Sequence, residues 1–415
     1  MRKFLLAATA CAAPVALAHP ALAAPGDPVK VSDALTIDPM IEGRLRYESV
    51  DQPTLEADAL TVRIRAGAEV RLHSLSLLAE AEGTLAPVND YNAFPFAIAN
   101  GQRRPTRSVV PDPENIELNR LQVQYKGKAA SVTIGRQRIN LDDQRWVGSV
   151  GWRQNEQTFD AVRAETKVGP VSLDGTYAIA QRTIFGVDAG PRQSYDGSFW
   201  FAGAALKLDP VTIKGFAYVI DYDEAFFRAN SSQTYGLRAT ATLPLSPKLK
   251  LALAASYARQ SDHGSNPADF AADYLAGEAG LAFGDLGVLA GYELLGSGRD
   301  AAGVARAVQT PMATMHKFNG WADLFLTTPA GGLQDLYGGV SYRFSKARFV
   351  KGLNAAVTYH RFDSDAGGLR YGSEWDASLG FTLGNVALLA KFADYDARRF
   401  GVDTRKLWLQ AEFRY

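Results

Sequence analysis

Leu407-Trp408-Leu409-Gln410-Ala411-Glu412-Phe413-Arg414-Tyr415 is the stretch whose reading decides the fold. A period of two puts Leu407, Leu409, Ala411, Phe413 and Tyr415 on one face and Gln410, Glu412 and Arg414 on the other. A strand with one oily and one charged side suits a barrel wall between lipid and a wet lumen. Upstream, segments of the same kind recur, each about 10 residues long, the length a tilted strand needs to cross the outer membrane. Two are especially clear. Ile41, Gly43, Leu45 and Tyr47 alternate with Glu42, Arg44, Arg46 and Glu48, and Leu60, Val62, Ile64, Ala66, Ala68 and Val70 alternate with Thr61, Arg63, Arg65, Glu69 and Arg71. About eighteen such segments can be counted, which predicts an all-β, transmembrane antiparallel β-barrel.

The connections point the same way. His73-Ser74, Lys126-Ala130, Gly169-Pro170, Asp209-Pro210, Pro244-Lys248, Gly284-Asp285, Ser345-Lys351 and Gly384-Asn385 are short, and they alternate with long segments. The longest are Pro87-Asn115, Leu141-Gln157, Gln181-Asp196, Asp262-Ala271 and Gly296-Gln334. Outer-membrane barrels have short periplasmic turns and long extracellular loops, whereas a soluble sandwich or propeller has no reason to sort its loops by length.

Arg2-Lys3, the apolar run Phe4 to Leu17 and the small-x-small site Ala21-Leu22-Ala23 read as a secretory signal peptide. The expected organisation is signal peptide 1–23, a periplasmic segment 24–36 and a barrel 37–415, located in the bacterial outer membrane after cleavage near Ala23. Cys11, the single cysteine, lies in the leader, so a cleaved chain has no disulfide and no cysteine-ligated metal. Beyond the leader no stretch approaches the roughly 20 apolar residues of a spanning helix. Basic and acidic residues balance at 44 each, which argues against a nucleic-acid partner. The terminal strand ending in Tyr415 resembles the C-terminal signal read by the barrel assembly machinery. That machinery and the lipid bilayer are the expected partners.

A barrel of about eighteen strands is too wide for wall side chains alone to fill, so a channel is the default. Alternation assigns Arg44, Arg46, Arg63, Arg65, Arg71, Arg120, Arg238 and Arg343 to the lumen, with Glu42, Glu48 and Glu69 among them. Rings of fixed cations select anions in pores, while Arg and Glu on neighbouring strands can also simply brace the wall. The basic turn Gly101 to Arg107 is expected on the surface. The loop Leu141 to Gln157 is expected against the inner wall or the mouth, because Trp146, Val147, Val150 and Trp152 would each gain about 1.5 to 3 kcal/mol from burial. Arg145, Trp146, Trp152 and Arg153 are therefore the proposed constriction, with Gly148 and Gly151 allowing close approach to the wall. The histidines show no metal-site spacing and no catalytic motif stands out, so neither metal, cofactor nor enzymatic activity is expected.

Gly135-Arg136-Gln137-Arg138-Ile139-Asn140-Leu141-Asp142 and Val147-Gly148-Ser149-Val150-Gly151-Trp152-Arg153-Gln154-Asn155-Glu156-Gln157-Thr158-Phe159-Asp160-Ala161 resemble the alginate export family of outer-membrane proteins. His316-Lys317-Phe318-Asn319-Gly320-Trp321-Ala322-Asp323-Leu324-Phe325-Leu326-Thr327-Thr328-Pro329, followed by Gly332-Leu333-Gln334-Asp335-Leu336-Tyr337, is similar to the same family. The resemblance runs from about Arg44 to Tyr415 and implies an eighteen-stranded barrel whose arginine-rich lumen passes an acidic polysaccharide, with periplasmic export partners. Since every periplasmic turn is short, the reading is a channel for anionic saccharides or other small anions, direction open. A general diffusion porin selecting by size is the alternative, and an outer-membrane barrel enzyme a lesser one.

Overall fold

Residues that alternate oily and polar must pair their backbone groups where lipid offers no hydrogen bonds, and a closed antiparallel barrel does this without leaving an edge. The computed structural model, which describes residues 28–300 and 302–414, has that architecture. The leader, Cys11 and Tyr415 lie outside the described residues. The first nine wall strands are β1 (Leu35–Asp51), β2 (Glu56–Leu72), β3 (Leu75–Asp90), β4 (Asn115–Lys126), β5 (Ala130–Gln137), β6 (Thr158–Val168), β7 (Val171–Arg182), β8 (Ser194–Leu208) and β9 (Val211–Tyr222). The second nine are β10 (Ser232–Ser246), β11 (Leu249–Asp262), β12 (Ala271–Phe283), β13 (Leu286–Leu295), β14 (Leu333–Arg343), β15 (Lys351–Asp363), β16 (Arg370–Leu383), β17 (Val386–Ala397) and β18 (Thr404–Arg414).

Each strand pairs antiparallel with its neighbours in sequence, and β1 closes on β18 from Glu42 opposite Arg414 to Asp51 opposite Arg405. Outside the wall, Val29–Lys30 pairs onto the start of β1, and the loop after β13 carries a small hairpin, Ser297–Arg299 with Ala305–Ala307.

Faces follow the alternation. Leu45, Ile64, Leu85, Ile116, Leu237 and Leu409 are exposed on the outside, where lipid covers them. Aromatic pairs stand at both margins of this band, Tyr177 with Trp200 and Tyr359 with Trp375 toward the long loops and Tyr342 with Phe344 at the short turns. The Tyr and Trp rings among them, with an apolar body and a polar tip, favour that depth. The core lies inside the barrel. Ile139, Val147, Phe159, Phe199, Tyr218, Val308, Met312 and Trp408 belong to one buried cluster, drawn from both the wall and the inward loops.

Candidate functional site

Two extracellular loops fold into the lumen, and they are fastened by charge as well as by packing. The loop of residues 138–157 buries Val147 and Trp152, half-buries Trp146 against Phe216 and Tyr274, and leaves Val150 partly exposed. It descends far enough for Arg44, midway along β1, to donate to the carbonyls of Gly151, Trp152 and Arg153 at 3.1 to 3.2 Å. Arg46 donates to the Trp152 carbonyl at 2.5 Å, and its guanidinium lies 4.1 Å from that indole. The loop of residues 296–332 meets it from the other side. Gly148 N–H donates to the Met312 carbonyl at 2.9 Å, and Thr314 N–H to the Gln144 carbonyl at 3.0 Å.

A Cβ on Gly148 would lie 2.2 Å from Thr314 Oγ1, so this glycine serves the contact between the loops rather than contact with the wall. Gly151 has open space around it. Six non-glycine residues have positive φ among those described, and five of them, Asp142, Gln144, Val150, Asn319 and Asp323, lie in these two loops. For Val150, at φ 53°, that conformation is costly, so the loops are held where their packing puts them.

The arginines read as channel-lining do face inward, but most do not meet open water. Arg44, Arg46, Arg63 and Arg65 are buried beneath the loops, as is Glu48, and Glu42 is nearly so. Each is compensated: Arg44 by Glu412 at 3.3 Å, Arg46 by Asp112 at 3.6 Å, Arg63 by Glu42, and Arg65 by Glu82 and Glu156. Of the two roles that the sequence leaves open for this cluster, selecting anions or bracing the wall, these pairings fit the second: closure and loop docking make it a neutralised clamp. Arg120 pairs with Glu80 at 2.6 Å and Arg238 with Asp143 at 2.7 Å, both partly exposed. Arg71, paired with Glu69 at 3.0 Å, and Arg343 sit exposed at the periplasmic rim.

In the proposed constriction, Arg145 binds Glu293 at 2.8 Å, and Arg153 binds Glu48 at 3.0 Å and Asp323 at 2.7 Å. Both are buried. The basic turn 101–107 stays at the surface, where Arg107 pairs with Glu56 and Asp90.

A latch between the loops and the far wall is absent from the sequence-derived residues. Lys391 of β17 points its ammonium at Trp152 and Trp321, 4.0 and 3.6 Å from the ring centres, and at Trp408 from 5.4 Å. It donates to His316 Nε2 at 2.7 Å, while His316 Nδ1 lies 2.8 Å from Asp323 and the imidazole stacks on Trp152 at 4.5 Å. The signal was there: Phe318, Trp321 and Phe325 in the 296–332 loop need burial as Trp152 does.

Accepting from Lys391 requires a neutral imidazole with its proton on Nδ1. Burial, reinforced by Lys391 and Arg153 and opposed by Asp323, pushes His316 well below its ordinary 6.5. A released His316 therefore takes up a proton before a docked one, so the latch is at full strength above about pH 6.5 and weakens below it. Conductance should fluctuate more at about pH 5 than at about pH 7.5, and His316→Gln should flatten that difference. Equal noise at both values in the unaltered protein would count against the latch.

What stays partly exposed in the lumen includes Lys214, Arg238, Lys317 and Arg138. Lys214 is held by Asp142 and Asp174 at 3.1 and 3.0 Å, and Lys317 donates to the Asp143 carbonyl at 2.7 Å. Among the described residues no group of His, Cys, Asp or Glu could hold a metal ion.

Comparison with known proteins gives the fold company. OpdO of Pseudomonas aeruginosa has a TM-score of 0.69 at 14% identity, with 91% of this chain and 97% of that one covered. OccAB3 of Acinetobacter baumannii has a TM-score of 0.69 at 15% identity, covering 91% of this chain and 99% of that one. OpdK of Pseudomonas aeruginosa, solved with vanillate, has a TM-score of 0.66 at 14% identity, covering 92% and 98%. These neighbours are outer-membrane porins, not enzymes. No curated protein matches the sequence. The family model described as alginate export matches residues 40–266, more than half of the chain, so this outer-membrane barrel belongs to the alginate export family.

Proposed function

We propose that this porin passes anionic saccharides or other small anions, with the loops of residues 138–157 and 296–332 setting its bore. The observation that carries the reading is where cations keep contact with solvent: the β1 and β2 arginines are buried in ion pairs, whereas Lys214, Arg238 and Arg138 stay partly exposed although paired, and Lys317 is exposed with no ion pair among the described residues. In a narrow, low-dielectric passage such fixed cations offset the desolvation of an anion. The vanillate in OpdK is a small aromatic carboxylate, which is consistent with this chemistry on a similar barrel.

The test is a double variant, Arg238→Gln with Lys317→Gln, in proteoliposomes loaded with neutral and acidic oligosaccharides of equal size. The unaltered protein should pass the acidic sugar faster, and the variant should lose most of that advantage. If both proteins sort the sugars by size alone, the general porin replaces this reading.

A further inference from the structure

The two ends of the barrel differ in charge. At the extracellular end β1, β3, β11 and β15 stop at Asp51, Asp90, Asp262 and Asp363, and β2 starts at Glu56. At the periplasmic end β4 and β14 stop at Lys126 and Arg343, and β15 starts at Lys351. Lys167 and Lys250 stand one residue in from the ends of β6 and β11.

Alternation turns Lys126, Lys167, Lys250 and Arg343 toward the lumen, since Tyr125, Val168, Leu253 and Tyr342 take the lipid side, and the register shift before Asn354 sets Lys351 opposite Thr382, on the face away from lipid-facing Leu383. All five are exposed, and none of them forms an ion pair among the described residues. Lys128, Lys346 and Arg348 on the adjoining turns are exposed in the same way. The rim carboxylates are largely used up: Glu69 pairs with Arg71 at 3.0 Å, Glu165 with Arg163 at 2.8 Å and Asp209 with Lys207 at 3.4 Å. Asp285 accepts from the Ser345 hydroxyl at 2.5 Å, and Asp38 lies opposite Glu69.

This contrasts with the lumen above, where almost every cation has its carboxylate. A surplus of unpaired cations has no bracing role, because nothing is there to brace against. Each alone is worth little to a monovalent anion in water. Strands are about 4.8 Å apart, however, so Arg343 and Lys351 on adjacent strands, and Lys126 and Lys167 two strands apart, share fields within a Debye length of about 10 Å at 0.1 M salt, while Lys250 stands by itself on β11. A chain carrying several charges can reach more than one of these groups at once, and a single charge cannot.

We propose that the periplasmic rim is a capture site for a multiply charged acidic saccharide chain, separate from the constriction and ahead of it on the path. This rests on reading the lumen as an anion route. It gives the channel a preferred side of loading, through the rim of unpaired Lys and Arg and away from the carboxylate-tipped extracellular end.

The experiment uses single channels in planar bilayers, with orientation fixed by a His73→Cys variant whose periplasmic turn reacts with an impermeant thiol reagent from one side only. Oligogalacturonate of about ten units is added to either side, with galacturonic acid monomer as comparison. Block by the oligomer should need at least tenfold less material from the periplasmic side, and the monomer should show no sidedness. Combined Lys126→Glu, Lys167→Glu and Lys250→Glu should abolish the sidedness, as should about 1 M salt, where the Debye length is about 3 Å. Equal block from both sides, or sidedness that survives charge reversal, overturns the proposal. The chloride preference of the unaltered channel is read in the same membranes. Its absence with sidedness intact would sink the lumen reading alone, and its presence without sidedness would sink the rim alone.

Discussion

Deleting Asp143 to Arg153 is expected to raise single-channel conductance several-fold and to blunt anion preference, while the barrel still assembles. The eighteen wall strands pair with one another and need nothing from this segment to close. The loop's removal would take Trp146, Val147 and Trp152 out of the lumen and also unseat its partner, because Gly148 and Gln144 hold the 296–332 loop by backbone hydrogen bonds. One deletion should thus open both halves of the constriction. Once the bore exceeds the screening length of about 10 Å, fixed charges no longer govern what passes. If the deletion leaves conductance unchanged, the loops are ornament and the bore is set elsewhere.

The second large effect is expected from Arg153→Ala. This buried guanidinium faces Glu48 at 3.0 Å, Asp323 at 2.7 Å and Asp112 at 3.7 Å, so its loss leaves three carboxylates crowded in a dry site. Breaking a buried ion pair from one side costs about 3 to 5 kcal/mol, enough to shift the loop from docked to loose. Hydrogen exchange of residues 141–157 should accelerate by two or more orders of magnitude, with frequent large openings in current traces. Arg153→Lys should fall between, since an ammonium cannot span the same carboxylates as a planar fork. Exchange at the unaltered rate in Arg153→Ala would show that the ion pairs do not hold the loop.

The barrel was legible in the sequence because its signals are local. Leu407 to Arg414 alternates whatever lies beside it, and Gly384-Asn385 makes a tight turn from two residues. The loop of residues 141–157 was legible as well, since two tryptophans and two valines are too costly to leave in water. The role of the arginines was hidden by pairings that span the chain. Arg44 faces Arg63 on one side and Glu412 on the other, and that second partner exists only because the last strand closes on the first. Arg46 needs Asp112, which arrives from the loop between β3 and β4. Face could be read from a period of two, but burial could not, because burial depends on which loops descend. Lys391 escaped notice for the same reason: its three tryptophans come from residues 152, 321 and 408, and nothing local marks them as one cage.

The most direct test is the reversal potential of the purified, unaltered protein in a planar bilayer under a tenfold KCl gradient. An eighteen-stranded barrel narrowed by two loops, with Lys317 exposed and Lys214, Arg238 and Arg138 partly exposed in its lumen, predicts small single-channel conductance and a potential of the sign that favours chloride. A potential near zero or favouring potassium, or a conductance as large as that of an unobstructed barrel, would contradict it.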